Sequence, residues 1–188
     1  YFDKKDPIIR AILKCFDKNS NQKKVLLEIG CGNGNRLSWI SENLNFQCYG
    51  VEPSKKAVAD ANLKNIKVIR GTADLLDFED KKFDFVIFGF CLYLCDRSDL
   101  FQIAKEADRV LKDNGYLIIL DFYSREYLKK KYHHRSGVFS YKMDYRKMFD
   151  WSPSYSCLYH KVSSHTNMVI NDKNDRVETS ILKKKIYK

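Results

Sequence analysis

The chain alternates between short apolar runs and segments whose apolar residues recur at helical spacing. The apolar runs, which have the length and composition of buried strands, are 25–29, 46–51, 66–69, 83–88 and 116–120. Helical spacing occurs over 37–44 and 55–63, in a segment that begins at Ser98 and ends at Asn114-Gly115, and after Asp6-Pro7, a pair typical of a helix start. This alternation predicts a mostly parallel sheet with helices on both faces.

The pattern changes after residue 122. Residues 123–153 are rich in Tyr, Lys, His and Arg and show little periodicity. Two β-type runs follow, near 155–165 and 176–186, and the polar stretch 171–175 between them favours a turn. These runs predict an antiparallel hairpin at the end of the sheet.

The first strand ends in an acid and continues into a loop with glycine at every second position. The sequence there is Glu28-Ile29-Gly30-Cys31-Gly32-Asn33-Gly34. Because glycine has no Cβ and takes positive φ readily, such a loop lets the backbone approach a nucleoside closely. The dinucleotide fingerprint needs glycine at the first, third and sixth places, and Asn35 stands at the sixth place counted from Gly30. Nicotinamide and flavin cofactors are therefore disfavoured.

A second acid follows the next strand. The run over 46–51 ends in Glu52, about 20 residues after the glycines, where nucleotide-binding α/β folds place the carboxylate that accepts hydrogen bonds from ribose hydroxyls. Glu52 is therefore the candidate ribose ligand. The third strand leads into Gly71-Thr72-Ala73-Asp74-Leu75.

These motifs resemble those of a known enzyme family. Glu-x-Gly-x-Gly-x-Gly is similar to motif I of the class I S-adenosylmethionine (SAM) methyltransferases, and residues 71–78 resemble the adenine-contacting segment of their small-molecule members. The resemblance covers about residues 24–122 with the motifs in the same order. It implies a doubly wound, Rossmann-like α/β fold whose mostly parallel seven-stranded sheet ends in an antiparallel C-terminal hairpin. It also implies SAM as cofactor and S-adenosylhomocysteine as product.

The resemblance assigns roles to individual residues. Glu28 is expected to serve the methionine end of SAM, and the glycines are expected to border its ribose. Many relatives carry Asp where Thr72 stands, so the expected adenine contacts move to Asp74 and the backbone at Ala73. The complete set expected to line the cofactor is Glu28, Gly30, Cys31, Gly32, Gly34, Glu52, Pro53, Ala73, Asp74, Leu75, Phe88 and Gly89.

Composition agrees with one globular domain. A chain of 188 residues with 44% apolar residues predicts a single domain over 1–188, with the cofactor-binding core at 24–122 and an acceptor-side segment with the terminal hairpin at 123–188. No apolar run approaches the roughly 18 residues that span a bilayer, and no signal peptide opens the chain, so we expect a soluble cytoplasmic protein. The six cysteines form no Cys-x-x-Cys pair, which favours reduced thiols and no metal site.

Positive charge is concentrated beyond the cofactor motifs. Residues 1–120 carry 19 Lys and Arg against 17 Asp and Glu, whereas residues 121–188 carry 15 against 7. A segment with a net charge of +8 on the acceptor side implies an anionic acceptor. We expect a small metabolite such as a sugar or nucleotide derivative. The alternative interpretation of a charge run is a solvated face, which suits Lys129–Lys131.

Five residues are candidates for acceptor binding: Tyr93, Tyr123, His133, His134 and Arg135. Arg and His suit planar recognition of phosphate or carboxylate, and a histidine of the pair is the candidate general base. Tyr93 stands where many relatives carry His, and it is expected to orient the acceptor or to pack in the core.

Two other functions remain open. Basic and aromatic residues together can hold RNA, which would make the protein an RNA methyltransferase. A SAM-binding module without transfer activity, acting as a regulator or partner subunit, would carry the same cofactor motifs. Cytosine-C5 chemistry is excluded because none of the three prolines precedes a cysteine.

Overall fold

The computed structural model describes residues 4–16, 22–64, 66–132, 136–166 and 174–186. The helices are α1 (Pro7–Cys15), α2 (Asn35–Asn43), α3 (Lys55–Asn62), α4 (Leu100–Val110) and α5 (Lys147–Asp150). The strands are β1 (Lys24–Ile29), β2 (Phe46–Glu52), β3 (Lys67–Arg70), β4 (Phe83–Gly89), β5 (Leu111–Phe122), β6 (Leu128–Lys131), β7 (Phe139–Lys142), β8 (Tyr155–Ser164) and β9 (Arg176–Lys184). Two 3₁₀ turns follow β4, at Leu92–Leu94 and Arg97–Asp99. No helix in these ranges has both the length and the apolar character needed to cross a membrane.

Seven strands form one sheet in the order β3-β2-β1-β4-β5-β9-β8. The first five strands of this order are parallel, β9 runs antiparallel to β5, and β8 runs antiparallel to β9. The predicted mostly parallel sheet with an antiparallel C-terminal hairpin is confirmed. The strand order reverses between β1 and β4, and doubly wound sheets bind ligands at the carboxyl ends of the strands at such a point.

Helices cover both faces of the sheet because successive strand residues point to opposite sides. Leu26 of β1 and Ile87 of β4 pack in the cluster that contains the buried side chains of α1, α2 and α3. Their neighbours Leu27 and Phe88 pack in the second cluster, with α4 and α5. The continuous apolar runs of these strands therefore supply two cores at once.

The predicted start of α1 is confirmed. The Asp6 carboxylate accepts hydrogen bonds from Ile8 N at 2.9 Å and Ile9 N at 3.0 Å, and Pro7 occupies the first helical turn. Such a cap satisfies amides that have no partner within the helix. Ile8, Ile9 and Ile12 are fully buried, so α1 is held against the sheet by its apolar face.

The structure differs from the sequence-based prediction after α4. This helix ends at Val110, earlier than the predicted end at Asn114-Gly115. β5 begins directly after it, because Leu111 is buried and pairs with Phe83 of β4. Asn114 has a φ of 59°, and a Cβ at Gly115 would lie 2.6 Å from a side-chain carbon of Leu111. The glycine turn is therefore a bulge within β5 and not the end of a helix.

The segment over 123–153 is more regular than its sequence predicts. It contains a small antiparallel sheet of β6 and β7 and the single turn of α5. The guanidinium of Arg97 lies 4.3 Å from the centre of the Tyr141 ring, which connects this hairpin to the turn after β4. The hairpin thus lies beside the loop that borders the cleft described next.

Candidate functional site

A cleft of about 350 Å³ lies at the carboxyl ends of β1 and β4, where the strand order reverses. Five of the residues predicted to bind the cofactor line it: Gly30, Glu52, Pro53, Ala73 and Asp74. One wall of the cleft was not predicted from any sequence motif. It is formed by residues after β4 and at the start of α4: Phe90, Cys91, Leu94, Cys95, Asp96, Asp99 and Ile103. These residues follow a strand end, and that position is the signal that could have identified them.

The glycine loop has the backbone that its sequence predicts. Gly30, Gly32 and Gly34 have φ values of 73°, 55° and 70°, in the region that side chains disfavour. A Cβ at Gly30 would lie 2.4 Å from the Cβ of Cys91, so the loop approaches the chain after β4 very closely. At Gly32, by contrast, no atom of the described residues lies within 4 Å of such a Cβ. The middle of the loop therefore faces open space in which a ligand can lie.

Glu52 is held at the edge of this space. One of its carboxylate oxygens accepts a hydrogen bond from Gly32 N at 3.0 Å, and the other accepts one from Ser54 N at 2.9 Å. Each carboxylate oxygen can accept a second hydrogen bond. The side chain is thus oriented by the backbone and keeps acceptor capacity for a ligand with hydroxyl groups.

Glu28 lies below the cleft and not in its lining. It is 1% exposed and is paired with Arg36, whose guanidinium also lies 3.4 Å from the Asp6 carboxylate. Burial raises the pKa of Glu28 above its usual range, and the positive charge of Arg36 opposes this rise. A Cβ at Gly89 would lie 2.6 Å from Arg36 Nη1 and 2.9 Å from Glu28 Oε1, so Gly89 provides the space for this ion pair.

The second carboxylate oxygen of Glu28 is unusual. Oε2 is buried and accepts no hydrogen bond from any residue that the structure describes. A buried acceptor without a partner is unfavourable, and such atoms call for an explanation. Because Glu28 does not line the cleft, a ligand there can interact with this carboxylate only through its charge.

The loop over 71–80 is fixed from α4. Glu106 accepts a hydrogen bond from Leu76 N at 2.8 Å, and Arg109 donates to Leu76 O and Phe78 O, each at 2.7 Å. The hydrogen bond from Arg109 holds the pKa of Glu106 below its usual range. Gln102 donates to the backbone carbonyl of Asp74 at 3.1 Å. Hydrogen bonds from α4 therefore fix the loop that contains Ala73 and Asp74, and both of these residues line the cleft.

The loop after β4 is fixed by an acid at the end of β5. Asp121 is fully buried and accepts hydrogen bonds from Cys91 N at 3.1 Å and Leu92 N at 2.8 Å, and from Phe122 N at 2.7 Å. Burial raises the pKa of Asp121 to about 7, although the backbone hydrogen bonds act in the opposite direction. Asp121 thus shapes the wall of the cleft from 30 residues away in the sequence.

Of the five candidate acceptor residues, the structure describes Tyr93 and Tyr123. Tyr93 packs edge-on against Phe122, with ring centres 5.0 Å apart, and burial raises its pKa above its usual range, which makes it unsuited as a base. Tyr123 lies beside His160 near β9, with ring centres 5.8 Å apart. Neither tyrosine lines the cleft. His133, His134 and Arg135 lie outside the described residues.

Besides Glu28 and Gly32, five residues expected to line the cofactor are absent from the lining of the cleft. Phe88 is fully buried against Phe149, Cys31 fills the space above Gly50, and Leu75 points outward with 73% of its surface exposed. The other two are Gly34, whose added Cβ would contact Ala61, and Gly89, whose role beside Glu28 is given above. Within the described ranges, no three His, Cys, Asp or Glu side chains are grouped as a metal site requires.

Comparison with known proteins places this geometry in a family. The model of a methyltransferase domain matches residues 27–119. Over 109 residues the chain is 31% identical to YcgJ, an uncharacterized methyltransferase of Bacillus subtilis, a match that covers 54% of this chain and 42% of that protein. It is 30% identical over 105 residues to a demethylmenaquinone methyltransferase of Listeria monocytogenes, covering 51% of this chain and 44% of that protein. The chain thus matches less than half the length of these two relatives.

The fold is also that of solved structures. A SAM-dependent methyltransferase of Methanosarcina mazei superposes with a TM-score of 0.73 over 96% of this chain and 98% of that chain, at 17% identity. At this identity the likeness concerns the fold. The order of the motifs, the cleft at the reversal of strand order and the matching domain model agree, and the chain therefore belongs to the class I SAM-dependent methyltransferases, with SAM as its cofactor.

Proposed function

We propose that the protein transfers the methyl group of SAM to an oxygen or nitrogen of a small anionic acceptor, such as a sugar or nucleotide derivative. The observation that carries this proposal is the cleft at the reversal of strand order, where Glu52 is tied to the backbone of Gly32 beside open space. A carboxylate held in this way accepts hydrogen bonds from ribose hydroxyls without first having to be ordered.

The remaining cofactor contacts follow from the same cleft. Ala73 and Asp74 would border the adenine, on the segment braced by Glu106 and Arg109. Glu28, with its unsatisfied Oε2, would attract the ammonium group at the methionine end. The contribution of Glu28 comes from beneath the glycine loop, since its side chain is buried.

The chain's own task in the reaction is alignment. The sulfonium of SAM supplies a methyl group that is already electrophilic, so the protein mainly has to place the acceptor atom behind it and exclude water. Asp121 positions the loop over 90–92, whose residues Phe90 and Cys91 line the cofactor cleft. His133 and His134 stay a prediction for the base that removes a hydroxyl proton.

The anionic character of the acceptor rests on charge. The net charge of +8 over residues 121–188 favours a negatively charged partner over a neutral one. A small molecule is favoured by the relatives, among which the Listeria protein is a methyltransferase of demethylmenaquinone.

Methyl-labelled SAM tests the proposal directly. The protein is incubated with a lysate divided into a low-molecular-weight fraction and a macromolecular fraction, the latter with and without nuclease treatment. We expect label in the low-molecular-weight fraction. Label that disappears from the macromolecular fraction on nuclease treatment would identify an RNA methyltransferase. SAM binding by calorimetry without transfer to any fraction would identify a binding module instead.

A further inference from the structure

A second cleft, of about 630 Å³, lies between α1 and the hairpin of β8 and β9. It opens next to the cofactor cleft, and Phe90 lines both. A ligand in the second cleft would therefore meet a ligand in the first across this one side chain. None of the residues expected from the sequence to line the cofactor lines this second cleft.

The second cleft is strongly basic. Its lining includes Lys5, Arg10 and Lys14 from the α1 region, Arg36, and Lys161 and His165 from the β8 side, with Asp6 as the acidic member. The carboxylate of Asp6 caps α1 and forms an ion pair with Arg36, so its interactions are made within the protein. Arg10, Lys14 and Lys161 form no ion pair with the described residues, and positive charge that faces a partly enclosed cleft concentrates anions there.

Arg10 and Lys161 are the cations best placed to bind a ligand. Both are exposed, and neither forms an ion pair or a side-chain hydrogen bond with another residue in the described part of the chain. They come from opposite walls, one from α1 and the other from β8. Lys14 differs from them because its ammonium lies 5.0 Å from the centre of the Tyr159 ring.

The end of the cleft next to the cofactor is built from aromatic rings. The ring of His165 packs against Phe90 and Phe122, with centres 5.3 Å apart in each case. Phe90 has a φ of 56°, a conformation that a bulky side chain adopts at an energetic cost, and its amide donates to Leu120 O at 2.8 Å. Strain of this kind concentrates at functional sites, and here it fixes the side chain that separates the two clefts.

The rival basic surface, on the β6–β7 hairpin, is occupied by protein contacts. Lys129 lies 4.1 Å from the centre of the Phe139 ring. Lys130 donates to the side chain of Asn174, and Lys142 donates to its backbone carbonyl. Three of the four lysines in β6 and β7 therefore contact protein groups.

We propose that the second cleft is the acceptor site, and that Arg10 and Lys161 bind the phosphate or carboxylate group of a small anionic acceptor from its two walls. The hydroxyls of Ser163 and Thr179, which also line the cleft, suit the polar remainder of such a molecule. This inference rests on the proposed methyltransferase function and specifies where its substrate lies.

The test uses a double charge reversal, Arg10→Glu with Lys161→Glu, and a variant with the same change in net charge on the rival surface, Lys129→Glu with Lys130→Glu. Inorganic pyrophosphate is the anionic probe, titrated by calorimetry, and SAM is titrated in parallel. We expect the first variant to weaken pyrophosphate binding by about 10-fold or more, as the loss of hydrogen bonds to a charged group implies. We expect SAM affinity to stay within about twofold, because neither residue lines the cofactor cleft. The rival-surface variant should leave both affinities unchanged.

Thermal unfolding shows whether the variants fold, and Arg10→Gln with Lys161→Gln replaces the reversal if it does not. Wild-type protein that binds no pyrophosphate, or an equal loss in the Lys129 and Lys130 variant, would overturn the acceptor site. A wild-type protein that fails to bind SAM would instead overturn the proposed function, so the two failures are distinguishable. In the labelling assay, acceptors retained by an anion exchanger should lose label with the first variant only.

Discussion

Replacing Arg36 tests whether the buried carboxylate of Glu28 depends on this one counter-charge. Glu28 is 1% exposed, and its only described cationic partner is Arg36. In an Arg36→Met variant the side-chain stem is largely retained while the charge is lost. Breaking a buried ion pair by removing one partner typically costs about 3–5 kcal/mol.

The pH dependence gives a sharper magnitude. Without Arg36, burial should drive Glu28 to take up a proton in the folded state, whereas the unfolded chain keeps the ordinary pKa of 4.5. Taking up this proton on folding then lowers the free energy of unfolding by about 3.4 kcal/mol at pH 7 and by about 1 kcal/mol at pH 5. Because the folded-state pKa is raised, the destabilisation grows as pH rises through this range and disappears below the unfolded pKa.

Urea unfolding at pH 5, 6 and 7 measures this cost. The matched control is Glu28→Gln in the Arg36→Met background, which has no carboxylate at this position and should lose stability equally at all three values. If the single variant also shows a cost that does not change with pH, then Glu28 is already protonated in the wild type and Arg36 is not its counter-charge.

Three further predictions concern the cleft and its wall. Glu52→Ala should weaken SAM binding by about 1.5–3 kcal/mol, the range for hydrogen bonds to a charged group. The control is Glu79→Ala, at an exposed glutamate outside the cleft, which should bind SAM normally. Equal affinities of the two variants in calorimetry would mean that Glu52 does not bind the cofactor. Gly32→Leu should abolish SAM binding. The control is Gly137→Leu, at a positive φ of 78° in equally open space, which should suffer the same backbone strain of about 1–2 kcal/mol but bind SAM normally. A folded Gly32→Leu protein with normal SAM affinity would refute the cofactor site. For Asp121→Asn, the free energy of unfolding of the wild type relative to the variant should fall by up to about 4 kcal/mol from pH 4 to 7. The reason is that Asp121 keeps its proton up to about pH 7 in the folded state, whereas the unfolded chain loses it near pH 3.8. A difference that does not change with pH would mean that the backbone amides, and not burial, set the pKa of Asp121.

The sequence by itself determined the cofactor half of this protein. The acid, the alternating glycines and the acid about 20 residues later act through local backbone geometry, and strand and helix periodicities fixed the order of the elements. The same is true of α1, because Asp6 and Pro7 act within one turn of the helix they start. The end of α4 was missed because Asn114-Gly115 can end a helix or form a bulge, and the pairing of β5 with β4 decides between them.

Only the tertiary structure decided which polar groups meet. Arg36 joins Glu28 to Asp6, and Asp121 holds the backbone at Cys91 and Leu92; no sequence spacing predicts either contact. Net charge likewise counts every lysine equally, whereas folding pairs some of them with protein groups and leaves others facing a cleft. The excess charge beyond residue 120 predicts an anionic acceptor but assigns it no position, and the acceptor site proposed above exists only because the sheet brings α1 against β8 and β9, so that Arg10 and Lys161 line one cleft.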